Sequence, residues 1–285
     1  MLCGIFSLYQ LLILPFCPET PAYLFSKGLE VEGSDSLRFL RGRNYDIDEE
    51  VDSLRSEVQR AQSGSKISIR GIFSQESLRK PMVIAIMMQL AQQLSGINAV
   101  LYYSTGIFIS AGVSAANSDI ITVGMGIANV VMTAVSLLFI ERLGRRLLML
   151  FGLGGMLFCS VVLVISLTAG MGTHWGPILA VVMVMLFVAA FQTGPGSIPW
   201  FITAELFNEN ARASAMSVAG IANWGANFVV GIGYLPLEKV IHGFTFTVFA
   251  GLLAVFWVFT YIKVPETKGR STEEIANMFH HENND

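Results

Sequence analysis

Long apolar runs dominate the chain and are separated by polar connections. Six of them reach the roughly 20 residues that a helix needs to cross the ~30 Å hydrocarbon core of a bilayer. We place these spans at 81–110, 118–140, 147–170, 177–206, 212–235 and 243–263. Residues 2–17 are also apolar, without the basic start and small-residue cleavage site of a signal peptide. The pattern predicts an all-α polytopic membrane protein with seven spans.

One long polar segment interrupts the apolar pattern. It carries charges of both signs and contains two amphipathic stretches, Asp35–Leu40 and Asp46–Gln62, which are typical of helices lying on a membrane surface. We therefore divide the chain into a first span (1–17), a cytoplasmic helical linker (18–80), a six-span bundle (81–263) and a cytoplasmic tail (264–285).

The distribution of lysine and arginine predicts the orientation of the spans. The linker holds ten of the eighteen, the 140–146 connection three, the 206–212 connection one, and the tail after residue 262 three. Only Lys239 falls in a connection on the opposite side. Because cytoplasmic loops hold the excess of these residues, we expect the N-terminus outside and the C-terminus in the cytoplasm.

Composition agrees with a membrane protein and argues against several other classes. Of the 285 residues, 53% are hydrophobic and only 14% are charged. The sequence shows no basic patch interleaved with aromatics for nucleic acid, and no metal-ligand set, nucleophile triad or phosphate-binding loop. The three cysteines lie in or beside apolar runs and form no disulfide framework. We expect no cofactor, no metal and no enzymatic activity.

A seven-residue stretch from Gln92 to Asn98 places three amides in an apolar span. Amides in hydrocarbon are costly unless they are hydrogen-bonded, so we expect them at a helix-lined cavity. On a regular helix Gln92, Gln93 and Gly96 share one face, and Asn98 does not. Asn98 reaches the same cavity only if the helix loosens near Gly96, as in the discontinuous helices of transport sites.

Two further spans align polar residues along one side. Span 118–140 carries Asn129 in a stripe of small and hydroxyl residues, and span 212–235 aligns Asn223 with Asn227, beside Trp224. Close helix packing is enough to explain the small residues, and Trp224 is equally consistent with an ordinary buried aromatic. For the amides we favour a cavity, because amides beside an aromatic ring are suited to holding a sugar.

Span 177–206 contains Gln192-Thr193-Gly194-Pro195-Gly196-Ser197-Ile198-Pro199-Trp200. Two prolines and two glycines interrupt the helical hydrogen bonds, so this span must bend or unwind within the bilayer. A broken helix beside a cavity is a natural gate, and a purely structural kink is the alternative.

Charged residues collect at the cytoplasmic ends of the spans. The expected groups are Glu141 with Arg145 and Arg146, Glu205 with Arg212, and Glu266 near Lys268 and Arg270. As solvated helix ends, such pairs contribute about 0–1 kcal/mol each. Their clustering on one face favours an interface that opens and closes.

Four motifs make the chain resemble the sugar-porter branch of the major facilitator superfamily, and most closely its facilitative glucose transporters of the first class. They are Gln92-Gln93-Leu94-Ser95-Gly96-Ile97-Asn98 with Tyr102-Tyr103-Ser104-Thr105, Glu141-Arg142-Leu143-Gly144-Arg145-Arg146, Gly194-Pro195-Gly196-Ser197-Ile198-Pro199-Trp200-Phe201, and Pro265-Glu266-Thr267-Lys268-Gly269. The resemblance covers nearly the whole chain and corresponds to the end of the family's sixth span, its intracellular helical segment and spans seven to twelve. It implies the C-terminal half of a hexose facilitator in the plasma membrane, with glucose as the favoured hexose.

The resemblance also implies which residues carry function. The sugar ligands fall on Gln92, Gln93, Asn98, Asn129, Gln192, Trp200, Trp224 and Asn227, and the gating charges on Glu19, Glu141, Arg145, Arg146, Glu205, Arg212 and Glu266. Gln93-Leu94-Ser95 is similar to the family's tripeptide associated with glucose preference. Two departures are Gln192, where glucose members carry a glutamate, and Ala22, where the family carries an arginine.

The implied partners are a hexose, the lipid bilayer, and an N-terminal transporter half or a second copy of the chain. Without such a partner, we expect the polar stripes to face lipid. Two alternatives stay open at this point. A proton-coupled sugar symporter is one, because the family's coupling acid lies in its first span, which has no equivalent here. The other is a non-transporting sugar sensor or a regulatory truncated isoform.

Overall fold

The structure, a computed structural model, describes residues 2–42, 45–63, 67–170, 172–270, 274–275 and 278. All regular secondary structure in these ranges is helical, which agrees with the predicted all-α class. The chain divides into two compact units, Met1–Lys66 and Ile67–Asp285.

The first unit contains four α-helices among its described residues: α1 (Leu2–Ile13), α2 (Pro21–Ser26), α3 (Glu30–Arg41) and α4 (Asp48–Ser63). Helix α2 packs against α3 and α4 around an apolar cluster of Phe25, Leu37, Ile47 and Val51. Gly33 permits this packing, since a Cβ there would lie 2.9 Å from the Phe25 ring. The two amphipathic stretches found in the sequence lie largely within α3 and α4.

The second unit contains α5 (Ile69–Ser74), α6 (Glu76–Gln93), α7 (Ile97–Ser110), α8 (Ala115–Leu143), α9 (Arg145–Thr168), α10 (Trp175–Thr193), α11 (Ile198–Glu205), α12 (Glu209–Ile241) and α13 (Thr245–Lys263). These bounds follow the six predicted spans closely, with two differences. Two spans are each divided into a pair of helices, α6 with α7 and α10 with α11. Helix α12 also extends several residues beyond both ends of the predicted span 212–235.

Five stretches of the described residues are long and apolar enough to cross a membrane: Glu76–Ser110, Ala115–Ile140, Arg145–Thr168, Trp175–Glu205 and Glu209–Lys263. The last has 55 residues and would extend roughly 80 Å as one straight helix, far more than one bilayer. A short 3-10 turn, His242–Phe244, separates α12 from α13 within it, and both helices pack against α6. The stretch therefore folds back and accounts for two spans.

Small residues let the helices of the second unit approach closely. Helix α9 packs against both α10 and α13. A Cβ on Gly152 would lie 2.4 Å from Pro195, in the break after α10, and one on Gly155 would lie 3.0 Å from Ala190 of α10. On the other side of α9, a Cβ on Gly154 would lie 3.3 Å from Nε1 of the Trp257 indole of α13. The glycines of this segment serve helix packing.

Candidate functional site

The site begins at the break between α6 and α7. Gly96 has a φ of +91°, a conformation in which an L side chain is strained. The ring of Phe249 also occupies the space of a side chain, because a Cβ on Gly96 would lie 2.7 Å from its Cγ. Only glycine satisfies both conditions. The loosening predicted near Gly96 is therefore present, and it turns Asn98 toward Gln93, whose Oε1 accepts a hydrogen bond from Asn98 Nδ2.

Around this break lies a cluster of six amides from α6, α7 and α12, which we call the amide cluster. Its members are Gln89, Gln92, Gln93, Asn98, Asn223 and Asn227. All are buried except Asn227, which is half-buried. The amides hydrogen-bond to one another, so apolar surroundings do not leave them unsatisfied.

Asn223 is the centre of the amide cluster and is only 1% exposed. Its Nδ2 donates to Gln89 Oε1 at 2.7 Å and to Gln92 Oε1 at 2.6 Å. Its Oδ1 accepts from Gln93 Nε2 at 2.8 Å. Asn223 lies on the polar stripe predicted for span 212–235 but was not among the predicted site residues. Its four-residue spacing from Asn227 on α12 was the available signal.

The second helix break supplies backbone acceptors to the same cluster. Helix α10 ends at Thr193 and α11 begins at Ile198, as the two prolines and two glycines predict. Gln92 Nε2 donates to the carbonyl oxygens of Pro195 and Gly196, both at 2.7 Å. The amide cluster therefore joins the two broken helices.

A second amide pair lies beside this break. Gln192 Nε2 donates to Asn129 Oδ1 of α8, and both side chains are half-buried. Gly196 lies between this pair and the amide cluster, because a Cβ on it would be 2.6 Å from Gln192 Oε1. Trp200 is half-buried and Trp224 is 66% exposed, and neither indole makes a hydrogen bond or ring contact to a described residue.

The burial of the amide cluster corrects one expectation from the sequence. We expected the polar stripes to face lipid unless a partner covered them. Gln92, Gln93 and Asn223 instead satisfy one another inside the second unit, at 4%, 9% and 1% exposure. Asn129 and Trp224 remain partly or largely exposed.

The charged residues meet where α8 ends and α9 begins. The Glu266 carboxylate accepts from the backbone N–H groups of Arg145 at 2.9 Å and Arg146 at 3.1 Å, which caps the first turn of α9. Gly144 makes room for it, since its φ is +89° and a Cβ would lie 2.6 Å from Glu266 Oε2. Lys268 Nζ donates to the Arg142 carbonyl at the end of α8.

Glu205 pairs with a different arginine from the one expected. Its Oε1 lies 2.9 Å from Arg145 Nη2, and its Oε2 accepts from the Thr267 hydroxyl at 2.5 Å. Arg212 instead donates to the carbonyl oxygens of Ala204 and Phe207, so the expected Glu205–Arg212 pair is wrong.

The remaining predicted gating residues are placed differently. Arg146 Nη2 donates to the backbone carbonyl of Tyr261, and the guanidinium carbon lies 5.7 Å from the centre of the Tyr261 ring. Glu19 is an exposed residue of the first unit, where its carbonyl accepts from Ser36 Oγ. The Glu141 side chain lies outside those that the structure describes, so its predicted pairing stays a prediction.

Known proteins are similar to this chain in sequence. The family model for "Sugar (and other) transporter" matches residues 1–279. Facilitated glucose transporter member 3 of Ovis aries is 42% identical over 273 residues, which are 96% of this chain and 55% of that protein. Member 2 of Gallus gallus is 44% identical over 279 residues, covering 98% of this chain and 52% of that protein. The chain spans about half the length of these curated relatives.

Solved structures share the fold. The proton:xylose symporter XylE bound to 6-bromo-6-deoxy-D-glucose superposes with a TM-score of 0.74 at 26% identity, covering 96% of this chain and 57% of that one. The inward open conformation of XylE from E. coli gives a TM-score of 0.71 at 24% identity, covering 95% and 54%. With these matches the resemblance predicted from the motifs is confirmed, and the chain belongs to the sugar transporter family.

Proposed function

We propose that this chain forms one half of a facilitative hexose transporter and that the predicted ligands among its amides bind the sugar, namely Gln92, Gln93, Asn98, Asn129, Gln192 and Asn227. The observation that carries the proposal is an uncharged amide cluster at the junction of two broken helices. Sugar hydroxyls both donate and accept hydrogen bonds, and an amide offers both functions. At a net gain of about 0.5–1.5 kcal/mol per hydrogen bond, a few bonds account for weak binding. A millimolar constant corresponds to only about −4 kcal/mol, which lets a carrier release its cargo.

The two helix breaks supply the movement that alternating access needs. Backbone groups at Gly96 and between Thr193 and Ile198 lie outside regular helical hydrogen bonding, so these points can change direction at low cost. The Arg145–Glu205 pair and the Glu266 cap tie together the start of α9, the end of α11 and the segment after α13. We assign these contacts to closure of the cytoplasmic side.

The proposal includes a partner and a location. A pathway of this kind lies between two bundles, and the exposed Trp224 with the half-buried pair Asn129–Gln192 marks the open side of this one. The partner is an N-terminal transporter half or a second copy of the chain. The lysine and arginine distribution supports a cytoplasmic C-terminus, and the plasma membrane is the proposed location.

Liposome uptake tests the proposal directly. The chain is reconstituted alone and together with an N-terminal half taken from a glucose transporter relative. We expect saturable uptake of D-glucose over L-glucose only with both halves. Stereospecific uptake by the chain alone would show that two copies suffice, and the absence of uptake in every combination would contradict the proposed function.

A pair of variants tests the site itself. Gln93→Leu should lower uptake at least tenfold at equal protein level. Among the buried amides of the cluster, Gln93 has the largest exposed fraction, 9%, and is therefore the most accessible to a sugar. Gln89→Leu is the matched control, since Gln89 is one turn earlier, 0% exposed, and bonded to Asn223 and Thr203. Its sugar affinity should be retained in the folded fraction. Equal loss of affinity in both variants would contradict a direct role for Gln93.

Proton coupling is the second candidate, because the superposed XylE structures are of a proton:xylose symporter. Uptake by the two-half assembly should be compared with an imposed pH gradient and after an ionophore collapses it. We expect the same accumulation limit in both cases for a facilitator. Accumulation that depends on the gradient would establish symport instead.

A further inference from the structure

A cavity lined by none of the residues of the amide cluster lies where α7, α9 and α12 all end and α13 begins. Its volume is about 700 Å³, within the range of small-molecule sites. Its walls are mostly apolar and aromatic, with Tyr102, Tyr103, Tyr234 and Phe246 among the lining residues. The transport proposal assigns no role to this cavity.

The aromatic rings form a corner that presents ring faces in two directions. Tyr103 stacks on Tyr234 with ring centres 4.8 Å apart, and Tyr102 stands nearly perpendicular to Tyr103 at 84°. The Tyr103 hydroxyl donates to the Gly231 carbonyl at 3.0 Å, which fixes the position of its ring. Rings arranged in this way bind organic cations through their negative faces.

The charges around the cavity favour a cation as well. Glu238 lines it, is half-buried, and makes no hydrogen bond or ion pair to any residue that the structure describes. Residues from the last turns of α7, α9 and α12 also line it, and helix C-termini carry partial negative charge. Among the α-helices that line it, α13 presents its N-terminus here; His242 is also a lining residue, and no lysine or arginine is.

We propose that this cavity binds a quaternary ammonium group, with Glu238 as the counter-charge and the Tyr102–Tyr103 corner as the aromatic wall. A quaternary ammonium cannot donate hydrogen bonds, so ring faces and a carboxylate recognise it without further polar groups. The group can come from a soluble organic cation or from the headgroup of a choline lipid, because the cavity lies at the ends of the spanning helices.

The test compares two probes of nearly the same shape. Binding of choline and of its neutral carbon analogue 3,3-dimethylbutan-1-ol to the purified chain in maltoside micelles is measured by ligand-observed NMR. Choline should bind saturably and at least tenfold more tightly than the alcohol. Equal affinities would overturn the proposal.

Three variants assign the binding to this cavity. Glu238→Gln should abolish the preference for choline, and Glu238→Asp, which keeps the charge, should retain it within threefold. Glu209→Gln, which removes an exposed carboxylate at the other end of α12, is the control and should change nothing. Unchanged choline affinity in Glu238→Gln would overturn the proposal. If Glu238→Gln does not fold, the choline affinities of Glu238→Asp and Tyr102→Leu test the proposal in its place. Tyr102→Leu should weaken choline binding at least threefold, and no effect would overturn the aromatic wall.

Lipid nanodiscs distinguish the two sources of the group. Choline binding is measured in discs of phosphatidylglycerol with and without phosphatidylcholine. Competition by phosphatidylcholine supports the site with a lipid headgroup as its occupant. Undiminished choline binding supports the site with a soluble cation as its occupant.

Discussion

The residues of the amide cluster differ widely in the number of hydrogen bonds that each one makes. Asn223 serves three glutamines at once, whereas Asn227 makes one longer contact, 3.3 Å from its Nδ2 to Gln93 Oε1. A buried polar atom that loses its partner costs about 1–3 kcal/mol. Asn223 is therefore the amide whose loss should cost the most stability, although the sequence around it does not distinguish it from Asn227.

Asn223→Leu should lower the free energy of unfolding by at least about 3 kcal/mol, because it leaves acceptors on Gln89 and Gln92 and a donor on Gln93 without this partner. Asn227→Leu is the matched control on the same helix and should cost about 1 kcal/mol or less. Denaturant or thermal unfolding of the purified chain measures both. Similar losses in the two variants would contradict the central role of Asn223.

Charged pairs in the first unit respond to pH in a defined direction. Arg41 donates from Nε and Nη2 to the two carboxylate oxygens of Glu50, at 3.0 and 2.6 Å. These hydrogen bonds hold the pKa of the Glu50 carboxyl below its ordinary value. A lowered pKa contributes stability that is present above the unfolded-state pKa and is lost as the pH falls through the folded-state pKa. Acidification should therefore weaken the tie between α3 and α4, and only slightly, since the Arg41 side chain is 53% exposed and the Glu50 side chain 31%.

Carboxyl-carbon NMR measures this titration in the chain. Arg41→Gln should raise the pKa of Glu50 toward its ordinary value. Arg55→Gln removes a guanidinium that bonds Glu30 in the same unit and should leave Glu50 unchanged. An unshifted Glu50 in Arg41→Gln would show that the hydrogen bonds do not set its pKa.

Among the elements, the broken helices determine where polar groups can meet. A continuous helix from α6 into α7 would direct Asn98 away from Gln93, and a continuous α10–α11 helix would consume the carbonyl groups that Gln92 binds. Each break therefore provides both a direction and a set of hydrogen-bonding groups. Gly96 maintains the first break through its positive φ and its contact with Phe249.

Gly96→Ala should destabilise the chain by more than the ~1–2 kcal/mol of the left-handed conformation, because the new methyl group also meets the Phe249 ring. Gly220→Ala is the control within α12, where a Cβ meets nothing within 4 Å. It should stabilise the helix by about 0.5–1 kcal/mol. Thermal unfolding reports both changes, and a Gly96→Ala variant as stable as the parent would show that the break does not require glycine.

At the scale of the whole molecule, the charged contacts and the amide cluster lie at different depths of the same bundle. Glu266 reaches α9 from the segment after α13, and Glu205 reaches it from the end of α11. These contacts hold several helix ends in one arrangement, and a rearrangement of the bundle must break them. We therefore expect a change there to shift the balance between conformations without touching the amides.

Glu205→Gln should shift the two-half assembly toward the inward-open state, because Arg145 loses its counter-charge. Increased labelling of cysteines introduced on the cytoplasmic side measures the shift. Glu209→Gln, an exposed carboxylate four residues further along the chain, should leave labelling unchanged. Decreased or unaltered labelling in Glu205→Gln would identify the pair as a static tie between helix ends.

The sequence by itself determined the helical class, the approximate bounds of the helices in the second unit and both helix breaks. These features are local, since apolar length, glycine and proline act on the backbone within a few residues. The family also followed from short motifs.

Only the tertiary structure decided which residues distant in the chain bond to each other. Gln93 and Asn223 are 130 positions apart, and nothing near either residue shows that they bond. Sequence proximity suggested Arg212 for Glu205, but helix packing brings Arg145 to it from 60 positions away. The cavity beside Glu238 likewise exists only where the ends of four helices meet. Hydrogen bonds and ion pairs depend on distances of a few ångströms, and only the packed bundle sets those distances.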